Sequence, residues 1–264
     1  MTEHVGAHHE LIKQLRRLCG RRSSRYDERR FVVEGPVLVA ELLAQTPWMV
    51  DVVLTDGSMD DITWECERSG VRHVSAPDRA LSSALDTKSP RLACAIVTMP
   101  QRSYDEVIAE CERREAAVLI AVGLSDPGNA GTIIRTAEAF GFGAVVLTQG
   151  SVDPWNPKVV RSSAGAVTRI PLVVDLEPMW LIADLNRRGY ESIATSLTAS
   201  ASIWDIDMAQ QSAVVIGNEA HGLPPEVSLA CTHEVVIPMV GVTESLNASG
   251  TAAIVCAEYS RQHR

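Results

Sequence analysis

An unbroken apolar run, Ala116 to Val122, constrains the fold of this 264-residue chain more than any other feature. A strand that is apolar on both faces belongs in the middle of a parallel sheet covered by helices on both sides. Four further apolar runs predict strands, and the segments between them predict helices. The strands lie near 144–148, 191–195, 213–217 and 234–237, and the helices near 130–140, 156–164, 177–187, 224–230 and 247–261. Residues 116–264 are therefore predicted to form an α/β domain around a parallel sheet.

The first hundred residues repeat this alternation on a smaller scale. Strands are predicted at 31–33, 50–54, 71–74 and 92–97, and helices at 11–20, from 36 onward, at 60–69 and at 77–85. The pattern predicts a small α/β domain over residues 31–100, preceded by a basic extension at 1–30. The polar residues 101–115 predict a partly helical linker to the domain at 116–264.

Composition excludes several classes of protein. No apolar run approaches the roughly 20 residues that a membrane span needs. Residues 1–10 lack the apolar core of a signal peptide. The six cysteines are scattered without a CxxC pair, so we interpret them as small buried side chains rather than disulfide partners or zinc ligands. These features predict a cytoplasmic protein with no metal and no membrane partner.

Charge is distributed unevenly along the chain. The net charge is −9, yet residues 11–30 contain eight lysines and arginines against two acids. A local basic patch on an acidic protein is typical of a surface that meets a polyanion, and the alternative is an ordinary solvated surface. Residues 21–30 lack apolar periodicity and predict an exposed loop, and a second loop at 87–91 adds two bases.

The loop after the first apolar run, Gly123 to Gly131, is rich in glycine and leads into a helix. Such a loop can bind an anion at the helix N-terminus. It lacks the Gly-Lys-Ser/Thr of a phosphate-binding loop and the spacing of a dinucleotide fingerprint. Its unusual residues are Asn129 and, six positions later, Arg135. The alternative for Arg135 is a surface position on an amphipathic helix.

A second loop, Gly217-Asn-Glu-Ala-His-Gly222, follows another apolar strand. Gly217 permits the close approach of its backbone to a ligand. Glu219 supplies a carboxylate at the C-terminal end of the strand, and we interpret His221 as a turn residue.

The third loop, Ile237 to Thr251, places five polar side chains between a strand and a helix: Thr243, Glu244, Ser245, Asn247 and Ser249. The alternative interpretation is a capped helix start with Ser245 or Asn247 as the N-cap. In a parallel sheet all three loops lie along one edge, where α/β proteins bind ligands.

In order and spacing, the three loops resemble the motifs of the SpoU/TrmH family, the RNA ribose 2′-O-methyltransferases of the SPOUT class. The matching segments are Asn129-x-Gly131-x-x-x-Arg135, Gly217-Asn-Glu-x-x-Gly222, and Ile237-Pro-Met with Glu244-Ser-Leu-Asn-Ala-Ser249. The resemblance covers residues 116–261 and implies an α/β fold with a deep trefoil knot at its C-terminal end. Phe31-Val-Val-Glu-Gly-Pro36 resembles the start of the small ribosomal-protein-like RNA-binding domain that many rRNA-modifying members carry.

The resemblance implies S-adenosylmethionine as the cofactor, held by the loops 195–197, 217–222 and 237–247. Ile216, Leu223 and Met239 would flank its adenine. The implied cofactor-binding residues are Thr195, Ser196, Leu197, Ile216, Gly217, Asn218, Glu219, Gly222, Ile237, Met239, Ser245, Leu246 and Asn247.

The resemblance also implies methyl transfer to a ribose 2′-hydroxyl, with Arg135 at the centre of catalysis. Arg135 would act either as the base or, since a guanidinium stays protonated, by positioning phosphate and stabilising the alkoxide. Both roles stay open. Asn129 and Ser245 would orient Arg135 or the ribose. Glu219 would hold Arg135 or Asn247, and Asn247 would anchor the final turn.

The implied substrate is ribosomal RNA of the 23S type, because a separate N-terminal domain is typical of rRNA-modifying members. A transfer-RNA substrate and a non-catalytic RNA-binding scaffold are the alternatives. The family also implies a homodimer, packed through the first and last helices of the methyltransferase domain. The RNA would contact Arg21, Arg22, Arg25, Arg29, Arg30, Lys88, Arg91 and Arg135.

Overall fold

A computed structural model of the chain describes residues 3–85, 92–208 and 211–263. The chain divides into two compact units. Unit 1 comprises Met1–Gln101 and Trp155–Thr168, and unit 2 comprises Arg102–Pro154 and Arg169–Arg264. Lys88 and Arg91, both predicted to contact RNA, lie outside the described residues.

The helices and strands follow the alternation predicted from the sequence. Up to residue 101 the elements are β1 (Glu3–His4), α1 (Glu10–Gly20), α2 (Arg22–Glu28), β2 (Arg30–Glu34), α3 (Pro36–Gln45), β3 (Val50–Thr55), α4 (Asp60–Ser69), β4 (His73–Ser75), α5 (Asp78–Ser82) and β5 (Ala93–Thr98). After it they are α6 (Tyr104–Arg113), β6 (Val118–Ala121), α7 (Pro127–Ala139), β7 (Ala144–Thr148), α8 (Pro157–Ser162), β8 (Leu172–Leu176), α9 (Pro178–Arg187), β9 (Glu191–Thr195), β10 (Ala201–Ser202), β11 (Ser212–Ile216), α10 (Pro225–Ala230), β12 (His233–Val236) and α11 (Ala248–Gln262).

The strands of unit 1 form a mixed sheet in the order β1-β4-β3-β5-β2. The strand β5 pairs antiparallel with both β2 and β3, while β4 runs parallel to β1 and β3. Ile12, Leu15 and Leu18 recur at helical spacing on α1 and are fully buried in the core of this unit.

One prediction for unit 1 is wrong. The sequence pattern predicts an exposed loop at residues 21–30, but most of them form α2. Arg25 is only 3% exposed, and its Nη1 donates a hydrogen bond to the Leu18 carbonyl at 2.7 Å. Because its guanidinium is used inside the fold, Arg25 is not an exposed RNA contact. The sequence conceals this helix because its buried face is formed by an arginine rather than by apolar residues.

The segment Trp155–Thr168 completes the core of unit 1, although the sequence pattern places its helix in the second domain. The Trp155 ring packs against Phe31 with centroids 4.7 Å apart. Arg161 Nη1 donates to Glu34 Oε2 at 2.9 Å, and the Glu34 side chain is 1% exposed. A buried carboxylate needs such a partner, since an unpaired charge is costly away from water.

The segment 101–115, which the sequence predicts as a linker, contains α6. This helix begins with a capping box between Ser103 and Glu106, and its residues Val107, Ile108 and Cys111 are buried in the core of unit 2. Residues 102–115 are thus part of the packed body of that unit.

In unit 2 the described strands form a fully parallel sheet in the order β10-β12-β9-β11-β6-β7-β8. The strand β6, which lies within the apolar run that first indicated the fold, is completely buried in the interior of this sheet. The prediction of an α/β fold around a parallel sheet is therefore confirmed. The sequence pattern misses β8 and β10, because the first is only half-buried and the second is two residues long.

The order of the strands in unit 2 determines where a ligand can bind. From β6 the chain moves outward to β7 and β8, and later returns to place β11 on the other side of β6. The loops after β6 and β11 therefore leave neighbouring strands at the point where the winding reverses, which is where parallel sheets open a crevice.

Two features of the described residues concern membranes and metals. None of their helices has both the length and the apolar character that crossing a membrane requires. Within the same residues, no group of three or more histidine, cysteine or acidic side chains is placed to hold a metal ion. The six cysteines all lie in the described part of the chain and are free thiols, and Cys66, Cys94, Cys111 and Cys256 are buried.

Candidate active site

The helix α7 begins earlier than the sequence indicates, at Pro127 rather than near 130. Asp126 is its N-cap, and its Oδ1 accepts a hydrogen bond from the Asn129 amide at 2.7 Å. Asn129 therefore lies in the first turn of the helix and not in the preceding loop. Its side chain, 9% exposed, faces inward.

Asn129 is joined to Glu219 across 90 residues of sequence. Asn129 Nδ2 donates to Glu219 Oε1 at 2.9 Å. The same carboxylate accepts hydrogen bonds from the Asp126 amide and the Ser125 hydroxyl, both at 3.3 Å. The first and second motifs thus meet through a single carboxylate.

The resemblance predicts Arg135 or Asn247 as the partner of Glu219. Within the described residues, neither side chain is hydrogen-bonded to Glu219; the carboxylate holds the start of α7 instead. Burial raises the pKa of Glu219, but the hydrogen bonds from Asn129 and from backbone amides lower the pKa by more. The pKa of Glu219 consequently lies below its usual value, and the side chain is anionic at neutral pH.

The second motif is folded tightly on itself. Asn218 and Gly222 exchange backbone hydrogen bonds at 3.1 and 2.9 Å, and Gly222 adopts a φ of 68°. A Cβ added to Gly217 would lie 2.2 Å from the Gly222 carbonyl carbon. Glycine is required at 217 because the backbone of the same loop folds back against it, whereas the sequence suggests that a ligand approaches the backbone there.

Asn218 also ties this loop to the one after β6. Its Nδ2 donates to the Gly123 carbonyl at 2.6 Å, and its Oδ1 accepts from the Ala220 amide at 2.8 Å. With Glu219, it makes the two loops one hydrogen-bonded structure.

The third motif ends in a capped helix. Asn247 is the N-cap of α11, and its Oδ1 accepts hydrogen bonds from the Ser249 amide and hydroxyl, both at 2.8 Å. The alternative of a helix cap is therefore confirmed for Asn247. Ser245 is exposed, and among the described residues it has no hydrogen-bond partner.

A cavity of about 810 Å³, the size of a small-molecule site, is lined by the second and third motifs and by the residues that follow β9. Of the residues predicted to bind the cofactor, all but Asn247 line it: Thr195, Ser196, Leu197, Ile216, Gly217, Asn218, Glu219, Gly222, Ile237, Met239, Ser245 and Leu246. Leu223, predicted to flank the adenine, lines it as well.

Other lining residues go unnoticed in the sequence. They include Ser228 and Leu229 of α10 and Glu234 of β12. Since α10 directly follows the second motif and β12 neighbours β9, the chain order alone brings them here; their residue types carry no signal.

Arg135 stands apart from this cavity. At 100° per residue, six positions along α7 place it about 120° around the helix axis from Asn129. The side chain is exposed, and none of the described residues forms an ion pair or hydrogen bond with it. The prediction that Asn129 orients Arg135 directly is not met by any contact here. Arg135 is instead an exposed and, within the described residues, unpaired cation on α7, the helix whose first turn is hydrogen-bonded to Glu219.

The predicted RNA-binding arginines of unit 1 fall into two groups. Arg30 is paired with Asp51, and Arg25 is buried. Arg21, Arg22 and Arg29 are exposed, and the Arg22 guanidinium lies 5.2 Å from the centre of the Tyr26 ring. This second group lies at the surface, where a partner can reach it.

Comparison with known proteins identifies the family. The sequence model of the SpoU rRNA Methylase family matches residues 116–257. This chain belongs to that family. The resemblance that the three motifs indicate is therefore confirmed, together with the predicted enzyme class, an RNA methyltransferase that uses S-adenosylmethionine.

Individual SpoU relatives match nearly the whole chain. A 23S rRNA (guanosine(2553)-2′-O)-methyltransferase of Bacillus subtilis is 29% identical, over 97% of this chain and 98% of its own. A 23S rRNA (uridine(2479)-2′-O)-methyltransferase of Streptomyces viridochromogenes is 28% identical, over 95% and 89%. The solved structure of the SpoU methyltransferase AviRb from S. viridochromogenes with AdoMet has a TM-score of 0.85, at 27% identity over 97% of this chain and 100% of the other.

Proposed function

We propose that this SpoU protein transfers a methyl group from S-adenosylmethionine to a ribose 2′-hydroxyl of ribosomal RNA of the 23S type. One observation carries the proposal: residues of the loops at 195–197, 217–222 and 237–247 line one cavity, and Glu219 of that lining is hydrogen-bonded to Asn129. The full-length relatives named above, which act on 23S rRNA, support the choice of substrate.

The cavity suits the cofactor by its chemistry. Its walls combine apolar side chains, Ile216, Leu223 and Met239, with the polar backbone and hydroxyl groups of the three loops. An adenine ring needs the former, and a ribose with an amino-acid tail needs the latter. When bound, S-adenosylmethionine supplies an electrophilic methyl group on a positively charged sulfur. The loops at 195–197, 217–222 and 237–247 hold it.

Arg135 supplies charge to the reaction. Its guanidinium is exposed and unpaired within the described part of the chain, and its planar set of N–H donors matches the geometry of a phosphate. It therefore positions the phosphate beside the target ribose and stabilises the negative charge that develops on the 2′-oxygen. Asn129 and Glu219 fix the first turn of its helix, Ser245 faces the ribose, and Asn247 anchors the last turn.

The chain divides its work along the sequence. Unit 1, which includes the ribosomal-protein-like domain, contacts RNA, and unit 2 carries the methyltransferase with the family's deep trefoil knot. Arg21, Arg22 and Arg29 are exposed and suited to phosphate contacts, and Lys88 and Arg91 are further proposed RNA contacts by sequence.

Two copies of the chain form a homodimer in the cytoplasm. The helix α11 carries small residues at Gly250, Ala253 and Ala257 that allow a second helix to approach closely. Val240 and Val242 in the third loop are completely exposed, which favours a partner that covers them.

Isothermal titration with S-adenosylmethionine and mapping of ribose methylation on ribosomal RNA from cells with and without the protein test the proposal together. We expect binding of the cofactor and one 2′-O-methyl group that disappears with the protein. If the protein did not bind the cofactor, with or without RNA, the proposed enzyme activity would be wrong. If it methylated transfer RNA in place of ribosomal RNA, the proposed substrate would be wrong.

A further inference from the structure

In the loop after β6, Gly123 and Leu124 have hydrogen-bond partners at all four of their backbone N–H and C=O groups. The Gly123 amide donates to Thr148 Oγ1 at 3.1 Å, and the Leu124 amide donates to Ser151 Oγ at 3.1 Å. The Gly123 carbonyl accepts from Asn218 Nδ2 at 2.6 Å, and the Leu124 carbonyl accepts from the Val152 amide at 2.7 Å. Groups at the ends of β7 and β11, the two strands on either side of β6, thus hold the dipeptide Gly123–Leu124 in place like a clamp.

Thr148 and Ser151 supply the two hydroxyl acceptors of this clamp, and neither residue belongs to the three motifs. Thr148 is the last residue of β7 and is 1% exposed; Ser151 follows in the next turn. Neither residue lines the cavity, and within the described residues neither is hydrogen-bonded to Asn129, Glu219 or Arg135. Their hydrogen bonds to the dipeptide are the link to α7 that the inference below uses.

The dipeptide determines where α7 begins. Gly123 adopts a φ of 61°, which turns the chain out of the sheet, and Asp126 caps the helix only three residues later. The first turn of that helix carries Asn129, and Arg135 lies more than one turn further on. A change in the turn at Gly123 would shift both side chains together.

From this geometry we infer that Thr148 and Ser151 are positioning residues for methyl transfer, an inference that rests on the function proposed above. Their hydroxyls fix the turn at Gly123 and Leu124, and the turn fixes the direction of α7 and its arginine. A displacement of about 1 Å at a reacting group can lower a rate by about 100-fold, even when the altered residue is remote.

The first test is Thr148→Val, which keeps the shape of the side chain and removes the acceptor of the Gly123 amide. We expect kcat to fall by about 10-fold to 100-fold, while the Kd for S-adenosylmethionine and the KM for RNA change by less than about 2-fold. Thr148→Ser restores the acceptor and should return kcat to near the original value. Ser151→Ala should lower kcat in the same way, by a smaller factor because Ser151 is partly exposed.

The matched control is Ser212→Ala. Ser212 is also a buried hydroxyl of unit 2, but it lies at the start of β11, at the opposite end of the parallel strands from the site. This variant should keep kcat unchanged. Similar kcat values for Thr148→Val and the unsubstituted protein would overturn the inference. An equal loss in Thr148→Val and Ser212→Ala, or failure of Thr148→Ser to restore kcat, would overturn it as well.

A second measurement is independent of activity. Hydrogen exchange followed by NMR should show faster exchange at the Gly123 amide in Thr148→Val and at the Leu124 amide in Ser151→Ala, with distant amides unchanged. If the protein has no methyltransferase activity, the proposed function fails while this exchange result still holds. Unchanged exchange at both amides would show that the clamp itself is absent.

Discussion

Two sides of the same cavity are built in opposite ways. On one side, the loop after β11 lines the cavity and is bonded through Asn218 and Glu219 to the loop after β6 and the start of α7. On the other, residues 240–246 are exposed, and Val240 and Val242 are fully open to solvent. The first side is held by hydrogen bonds within the chain, whereas we expect the second to gain its packing from the ligand or from the second copy proposed above. Substitutions should therefore act by distortion on the first side and by weaker packing against the ligand on the second.

The largest effect is expected from Arg135→Ala, because it removes the one charge proposed to act on the transition state. We expect kcat to fall by about 10²-fold to 10³-fold, the range seen when one stabilising donor is removed. The Kd for S-adenosylmethionine, measured by titration, should not change, since Arg135 does not line the cavity. Arg113→Ala, an exposed arginine on α6, is the control and should be neutral. Near-normal turnover of Arg135→Ala would refute the assignment.

A pair of glycines tests the contrast directly. In Gly217→Ala the new Cβ would lie 2.2 Å from backbone of the same loop, so the loop must deform. We expect the Kd for S-adenosylmethionine to rise at least about 10-fold, with a lower Tm, as for other strained backbone positions. Gly241→Ala in the third loop meets nothing within 4 Å and should leave both quantities unchanged. Equal effects of the two variants would contradict the contrast between the two sides.

The charge of Glu219 can be tested through pH. Since its pKa is lowered in the folded protein, ionised Glu219 stabilises the fold above its unfolded pKa of about 4.3 and loses this effect as the pH falls through the lower folded value. At pH 7, Glu219→Gln should have a lower Tm and a kcat reduced by roughly 10-fold, because a charge-assisted hydrogen bond is removed. The difference in Tm should vanish in acid. A difference that persists at low pH would argue against a role of the charge.

The smallest effect is expected in the basic segment, where arginines with and without an acidic partner lie side by side. Arg21→Ala with Arg29→Ala should weaken RNA binding and reduce the slope of log K against log salt by about 0.7 to 0.9 for each phosphate that is no longer neutralised. Arg30→Ala should do less, because Asp51 already holds that guanidinium. Filter binding at several salt concentrations measures both. An equal change in slope for Arg30→Ala would show that the ion pair opens on RNA.

The sequence predicts most of the cavity but little of what holds it. Apolar strands followed by glycine and polar residues locate the loops, because parallel strands bring such loops to one edge. The bond between Asn129 and Glu219 could not be predicted, since 90 residues separate them and either could have bonded elsewhere. Thr148 and Ser151 give no signal at all, because hydroxyls at the end of a strand are common.

The errors in unit 1 have a similar cause. The helix α2 buries the guanidinium of Arg25 against a backbone carbonyl, a pairing that apolar periodicity cannot detect. The apolar pattern of residues 155–168 correctly indicates a buried helix, yet it cannot indicate which core buries it. Apolar periodicity shows that one face of a helix is buried, but it does not show which element packs against that face.

The return of residues 155–168 to unit 1 has a consequence for synthesis. When the ribosome has made the first 101 residues, Glu34 still lacks Arg161 and Phe31 still lacks Trp155. Unit 1 therefore gains these contacts only after β6, α7 and β7 have been translated, and a chain truncated at residue 101 should be less stable than the whole unit. Unit 1 is therefore completed only while unit 2 is being translated.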